Sequence, residues 1–143
     1  MNSKPAHILM LEDNAADVYL FRKALEDANV NFELTVFKDG GRALEFVRRE
    51  ESLGERAPDL AVLDVNVPKN DGLEVLDAMR KNRRFDSVPV VITSSSPSPP
   101  PYSTAAQFEN VRYIRKPADL EEFLQIGVIL RDILRDRGSQ GGE

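Results

Sequence analysis

Hydrophobic and polar positions along the chain fall into two alternating patterns. Short apolar runs occupy residues 7–11, 32–37, 60–65, 88–92 and 111–114. Runs of this length that are rich in Val, Ile and Leu are typical of strands. The first, third and fourth runs are apolar nearly throughout, which predicts strands covered on both faces.

Amphipathic segments separate and follow these runs, at residues 15–29, 42–51, 73–81 and 118–137. In the first of them, Val18, Phe21 and Leu25 recur at three- and four-residue spacings, which predicts a helix. The last segment carries Asp119 in its predicted first turn, where an acidic side chain favours a helix start. Strands alternating with helices predict an α/β fold, a flavodoxin-like three-layer α/β/α sandwich with a parallel sheet in order 2-1-3-4-5.

Two stretches depart from these patterns. Residues 94–101 read SSSPSPPP, and this low-complexity run predicts an extended loop because proline opposes helix interiors. Residues 138–143 are predicted to form a flexible tail. The length of 143 residues then favours a single domain over residues 1–137.

Composition narrows the function classes. The net charge is −5, which disfavours direct nucleic-acid binding because such proteins usually carry a basic face. The chain has no cysteine, so disulfides and thiolate metal sites are excluded. It shows neither a signal peptide nor a run of about 20 apolar residues. A cytoplasmic location without a membrane partner is therefore expected.

Carboxylates follow two of the predicted strands. Glu12 and Asp13 come after the first strand and Asp64 lies at the end of the third. The carboxyl ends of parallel strands form the usual site in such sheets, so these groups are expected to converge. Carboxylates about 4 Å apart repel by roughly 1 kcal/mol in water and more when buried. A hard divalent cation such as Mg²⁺ would relieve that repulsion.

Other polar groups end the later strands. The fourth predicted strand ends at Thr93 and Ser94, and the fifth ends at Arg115, Lys116 and Pro117. A carboxylate beside a cation and a hydroxyl can accept a phosphoryl group, because this transfer depends on positioning and charge stabilisation. Taken singly, the same residues have simpler interpretations. The acid pair could be a solvated turn with Asp13 or Asn14 capping a helix.

Four stretches together resemble the bacterial response-regulator receiver family. They are LMLEDNAADV at 9–18, PDLAVLDVNVPKNDGLEVL at 58–76, VPVVITSSS at 88–96 and YIRKPADLEEF at 113–123. The segment after the second strand and the KPADLEEF ending are similar to small regulators that serve bacterial phytochromes and related kinases.

The resemblance implies a role for each matching position. Asp64 would be the phosphoacceptor. Glu12 and Asp13 would bind Mg²⁺ with Asp64, and Asn66 would add its backbone carbonyl. Lys116 would contact the phosphoryl group.

The remaining implied roles concern the switch. Ser94, rather than Thr93, would be the hydroxyl that moves toward the phosphate, and Tyr113 would be the aromatic whose rotamer follows. The bond from Lys116 to Pro117 is expected to be cis. Because Pro97, Pro99, Pro100 and Pro101 occupy its beginning, the helix that the family usually builds after the fourth strand is predicted to be shortened or irregular.

The implied protein is a single-domain response regulator of a two-component phosphorelay. A sensor histidine kinase or a histidine phosphotransfer protein would be its phosphoryl source. It would not be an enzyme beyond slow self-dephosphorylation. The length leaves no room for an output domain, so another protein would read the signal, unless the chain is an excised domain. A homodimer is a further expectation.

Two other functions compete with this interpretation. The prolines at 97–101 motivate an interaction module with the receiver fold that works without phosphorylation. A magnesium-dependent phosphohydrolase of the aspartyl-phosphate type would usually carry a second aspartate two residues after its nucleophile. Asn66 occupies that position, which argues against efficient turnover.

Overall fold

The computed structural model describes residues 4–49, 57–67, 72–95 and 110–141, with side chains through residue 136. The strands are β1 (Ala6–Leu11), β2 (Phe32–Phe37), β3 (Leu60–Asp64), β4 (Val90–Ser94) and β5 (Val111–Arg115). The helices are α1 (Ala15–Asp27), α2 (Gly40–Arg48), α3 (Gly72–Arg80) and α4 (Leu120–Gly141). The predicted proline loop at 97–101 and the shortened helix at 102–109 lie outside the described residues.

The strands form one parallel sheet in the order β2-β1-β3-β4-β5. This confirms the predicted order and the flavodoxin-like fold. Every residue of β3 and β4 is buried, whereas β2 and β5 at the edges have no fully buried position. The apolar runs of the inner strands are therefore explained by helices covering both faces of the sheet.

Each face of the sheet has its own core, because successive strand residues point to opposite sides. Along β1, Leu9 and Leu11 face α2 and α3, while Ile8 and Met10 face α1 and α4. The first core takes its main helical side chains from Leu44, Val47, Val75, Leu76 and Met79. The second takes them from Phe21, Leu25, Phe123, Ile126 and Leu130. The result is the predicted three-layer sandwich.

Strand β4 begins later than its apolar run predicts. Val88 donates its backbone N–H to Phe85 in a turn, 3.1 Å away, and Pro89 has no N–H to give to a ladder. The strand therefore starts at Val90 and continues through Thr93 and Ser94. Both hydroxyl side chains therefore lie at the end of the strand, as predicted.

Helix α4 also differs from its predicted bounds of 118–137. Its first residue is Leu120, because Asp119 acts as a cap and accepts the backbone N–H of Glu121 at 3.0 Å. The helix continues to Gly141 and so enters the stretch 138–143 that was predicted as a tail. The flexibility of that stretch stays a prediction.

Helices α1 and α4 approach each other unusually closely. The rings of Phe21 and Phe123 meet edge to face with centroids 5.0 Å apart. One turn further along α4, a Cβ atom added to Gly127 would lie 2.0 Å from the carbonyl oxygen of Ala24. Only glycine fits there, so Gly127 sets the distance between the two helices.

Candidate functional site

The predicted site residues meet at the carboxyl edge of the sheet. Glu12 and Asp13 follow β1, Asp64 ends β3 and Ser94 ends β4, while Lys116 follows β5. Glu12, Asp64 and Ser94 are almost fully buried, at 2%, 3% and 1% exposure, whereas Asp13 is exposed. The strand ends therefore bring together groups that are far apart in sequence.

Lys116 lies at the centre of this cluster. Its Nζ atom is 2.6 Å from Glu12 Oε1, 2.8 Å from Asp64 Oδ2 and 2.8 Å from Asp17 Oδ2. An ammonium group has three N–H donors, so each donor serves a different carboxylate. The lysine side chain is only 6% exposed, and its charge offsets carboxylates that would otherwise be buried without a counter-ion.

Asp17 is the one member of this cluster that the sequence analysis missed. It lies in the first turn of α1, where an acidic residue is already explained by the helix dipole. An aspartate one helical turn after the acid pair was the available signal. That signal is weak, because the contact to Lys116 spans 99 residues and depends on how α1 crosses the sheet.

The acid pair lies in a helix-capping turn, as its simpler interpretation predicts, and Glu12 also belongs to the site. Asn14 caps α1, since its side-chain oxygen accepts the N–H groups of Ala16 and Asp17 at 2.8 and 3.2 Å. Glu12 turns inward, and its Oε2 accepts the Asn14 N–H at 3.1 Å. The turn and the buried carboxylate are thus parts of one structure.

Asp64 is held through both of its oxygens. Oδ2 accepts from Lys116, and Oδ1 accepts the backbone N–H of Asn66 at 2.8 Å. The Asn66 side chain donates to the Ser94 hydroxyl at 3.1 Å. Asn66 therefore connects the two strand ends by its amide groups, while the role predicted for its carbonyl stays a prediction.

The two hydroxyls of β4 are placed differently. Ser94 is connected to the site through Asn66. Thr93 pairs in register with Asp64, is fully buried, and its Oγ1 has no hydrogen-bond partner among the described residues. The geometry favours Ser94 over Thr93 as the hydroxyl available to a group on Asp64.

Tyr113 and Pro117 complete the predicted set. Tyr113 lies in β5 in register with Ile92, partly buried against the core beneath α2 and α3. No peptide bond within the described ranges is cis, so the expectation of a cis bond before Pro117 was wrong for this structure. A trans X–Pro bond is intrinsically favoured by about 0.5–1 kcal/mol.

The carboxylates suit a divalent cation. Glu12, Asp13 and Asp64 each offer an oxygen, and these oxygens lie within 4.8 Å of one another. Carboxylate oxygens at this density are the ligands that Mg²⁺ or Mn²⁺ prefers.

Burial shifts the protonation of this pocket. It raises the pKa of Glu12 to about 7, because the carboxylate loses contact with water and the opposing attraction of Lys116 is smaller. Burial alone would lower the pKa of Lys116, but the hydrogen bonds that it donates to Asp17, Asp64 and Glu12 prevail and hold this pKa above its usual range. Lys116 therefore stays charged at any physiological pH.

Residues 8–127 match the family model described as the response regulator receiver domain. The chain belongs to this family. It is 32% identical over 118 residues to the probable methanogenesis regulatory protein FilR2 of Methanothrix harundinacea, covering 82% of this chain and 76% of FilR2. It is 29% identical over 126 residues to the response regulator Rcp1 of Synechocystis sp., covering 87% and 86%.

Solved structures of receiver domains share the fold. The phosphorylated cyanobacterial phytochrome response regulator RcpA superposes with a TM-score of 0.78 at 32% identity, over 92% of this chain and 94% of RcpA. The Mn²⁺-bound form of Rcp1 superposes with a TM-score of 0.73 at 30% identity, over 86% and 89%. Among the described residues of this receiver domain, no helix is long and apolar enough to cross a membrane.

Proposed function

We propose that this receiver domain is a phosphorylation-dependent switch in which Asp64 accepts one phosphoryl group from a phosphohistidine. The observation that carries the proposal is the setting of the Asp64 carboxylate. It is buried at a strand end, held by Lys116 on one oxygen and by the Asn66 N–H on the other, and adjoined by further carboxylates. These are the parts that an acceptor carboxylate needs.

The transfer is a direct displacement at phosphorus. An Asp64 oxygen forms the new bond to phosphorus, while the bond from phosphorus to the donor histidine nitrogen breaks and leaves its electron pair on the imidazole. Lys116 then offers an N–H to a phosphoryl oxygen. The Ser94 hydroxyl lies beside Asn66 and can approach the same group.

Glu12, Asp13 and Asp64, with the Asn66 carbonyl, would hold Mg²⁺. The cation supplies positive charge that offsets the charge on the transferring group. The donor chemistry supports this assignment, as does Mn²⁺ in the Rcp1 structure. The function of Glu12 and Asp13 in this proposal is to orient and neutralise, and neither exchanges a covalent bond.

Similarity to RcpA and Rcp1 supports a sensor histidine kinase of the phytochrome type, or a histidine phosphotransfer protein, as the phosphoryl source. Phosphorylation adds negative charge and acceptor oxygens at the sheet edge. Movement of Ser94 and Lys116 toward them, followed by Tyr113, would change the surface around β4 and β5 that a target protein reads. Slow hydrolysis of the acyl phosphate would reset the switch.

A direct experiment tests the acceptor. The protein is incubated with Mg²⁺ and acetyl phosphate, and its intact mass is measured over time. We expect a gain of one phosphoryl group, absent from Asp64→Asn. Asp59→Asn is the matched control, because Asp59 immediately precedes β3 at its opposite end and accepts the His7 N–H. This control variant should be modified like the wild type.

Each other outcome favours a different function. No modification of the wild type at any Mg²⁺ concentration would refute the proposal and favour a receiver-fold interaction module. Modification that persists in Asp64→Asn would place the acceptor elsewhere. Rapid multiple turnover of a phosphate ester would favour a phosphohydrolase.

Cation binding is expected to depend on pH through Glu12. With a pKa of about 7 in the fold, Glu12 is mostly protonated at pH 6 and mostly ionised at pH 8. Mn²⁺ affinity should therefore be about tenfold weaker at pH 6 than at pH 8, as measured by electron paramagnetic resonance of free Mn²⁺.

Without the cation, a rise in pH is expected to weaken the fold itself through the same residue. Unfolding free energy should fall as pH rises from about 4.5 to 7, since the folded state then binds the extra proton.

Glu12→Gln provides the control for this pH dependence. The variant has no titrating group at position 12, so its weaker Mn²⁺ binding should change little over the same pH range. A tenfold dependence that survives in Glu12→Gln would assign the proton to another residue.

A further inference from the structure

Among the described residues, Asp17 is the one carboxylate hydrogen-bonded to Lys116 that lies outside the acidic cluster of Glu12, Asp13 and Asp64. Its Oδ2 lies 2.8 Å from Lys116 Nζ. The oxygens that converge for a cation come instead from Glu12, Asp13 and Asp64. Asp17 is also the most exposed of the three lysine partners, at 22% against 2% and 4% for Glu12 and Asp64. Asp17 therefore contacts the lysine without being a candidate ligand of the cation, whereas Glu12 and Asp64 are both.

The backbone fixes Asp17 in place independently of Lys116. Asn14 caps α1 and accepts the Asp17 N–H at 3.2 Å. The partial positive charge at the N-terminal turn of α1 also attracts an acidic side chain at this position. Asp17 thus presents a charged oxygen from a rigid helix start, whereas Glu12 and Asp64 hold Lys116 only while they are not engaged elsewhere.

Cation binding and phosphorylation would both engage the other two partners of Lys116, which are Glu12 and Asp64. A cation at the acidic cluster competes with Lys116 for Glu12 and Asp64, and a phosphoryl group on Asp64 replaces the free carboxylate. Asp17 lies outside the acidic cluster and is not engaged in either event. We propose that Asp17 is a positioning residue that holds the Lys116 ammonium beside the first turn of α1, so that Glu12 and Asp64 can bind the cation. This inference rests on the proposed function of the site.

A double-mutant cycle on cation affinity tests this role. Mn²⁺ affinity is measured at pH 8 for the wild type, Asp17→Asn, Lys116→Met and the double variant. Without the Asp17 charge, Lys116 is expected to compete more strongly for Glu12 and Asp64. Affinity should fall about tenfold in Asp17→Asn, the effect expected for contacting residues that couple. In the Lys116→Met background the same substitution should have little effect, and Asp17→Glu should recover most of the wild-type affinity.

Glu26→Gln is the matched control, because Glu26 lies on the same helix, carries the same charge and pairs with Lys23 on the surface. It should leave Mn²⁺ affinity unchanged. An unchanged affinity in Asp17→Asn would overturn the proposal. An equal loss with and without Lys116 would also overturn it, since Asp17 would then act only as a nearby charge.

The phosphorylation assay separates this inference from the proposed function. If Asp17 positions Lys116, Asp17→Asn should also take up the phosphoryl group from acetyl phosphate about tenfold more slowly. A wild type that takes up no phosphoryl group would refute the function while leaving the affinity cycle to decide the role of Asp17. Normal phosphorylation together with an uncoupled cycle would refute the inference and leave the function intact.

Discussion

Lys116→Met should lower the free energy of unfolding by about 3 kcal/mol in metal-free buffer at pH 8. Lys116 gives its three N–H groups to Glu12, Asp17 and Asp64. Methionine has a similar length but no charge, so the substitution leaves these carboxylates together without a counter-ion. Removing one partner from a buried ion pair is costly because the remaining charge keeps its desolvation penalty.

Added Mg²⁺ should restore most of this lost stability. The variant pocket is more negative, so it should bind the cation more tightly than the wild type, and a ligand that binds only the folded state stabilises it. Urea unfolding with and without Mg²⁺ measures both effects. A loss of less than about 0.5 kcal/mol, or a loss that Mg²⁺ does not reverse, would contradict the arrangement of charges described above.

Lys81→Met is the matched control for the charge removed. Lys81 pairs with Asp77 at 3.0 Å, but both side chains are exposed, at 73% and 48%. Exposed ion pairs contribute little because water screens them. The control should therefore unfold like the wild type and show no gain in Mg²⁺ affinity.

Gly127→Ala should destabilise the fold by about 3 kcal/mol. The added Cβ would lie 2.0 Å from the Ala24 carbonyl oxygen and 2.5 Å from its carbon. Those are backbone atoms, so no side-chain rotation can relieve the overlap and α1 must move away from α4. Separation would weaken the packing of Phe21 against Phe123.

The direction of the stability change in Gly127→Ala shows whether α1 and α4 approach each other closely. Alanine is favoured over glycine in a helix by about 1 kcal/mol, so a helix without the close approach would be stabilised by the substitution. Thermal and urea unfolding of Gly127→Ala are compared with Gln125→Ala, an exposed site on the same helix where little change is expected. A stabilised Gly127→Ala protein would show that the two helices are further apart than described.

The sequence was informative wherever burial or strand order decides the structure. The apolar runs predicted the five strands, and the alternation of strands with helices predicted their order through right-handed crossovers. Strand ends then placed Glu12, Asp13, Asp64 and Lys116 at one edge of the sheet. Those residues follow from the order of elements and need no knowledge of side-chain conformation.

Predictions failed where the outcome depends on local hydrogen bonds or on packing between distant segments. The run at 88–92 gave the wrong start for β4, because the missing N–H of Pro89 matters more than its apolar surroundings. Asp119 was assigned to a helix turn although its side chain caps the helix. Asp17 could not be identified, because its partner is determined by the contact between α1 and the chain after β5.

The position of Asp64 in the sheet determines where a structural change that follows its modification is expected to appear. Asp64 belongs to β3, which lies between β1 and β4 and is buried at every residue. Local opening starts where backbone is least covered, so amide hydrogens of β2 and β5 should exchange with solvent well before those of β3. A modification at Asp64 would thus act on a strand that is buried at every residue. The change that reports it is therefore expected at β5, which has no fully buried residue.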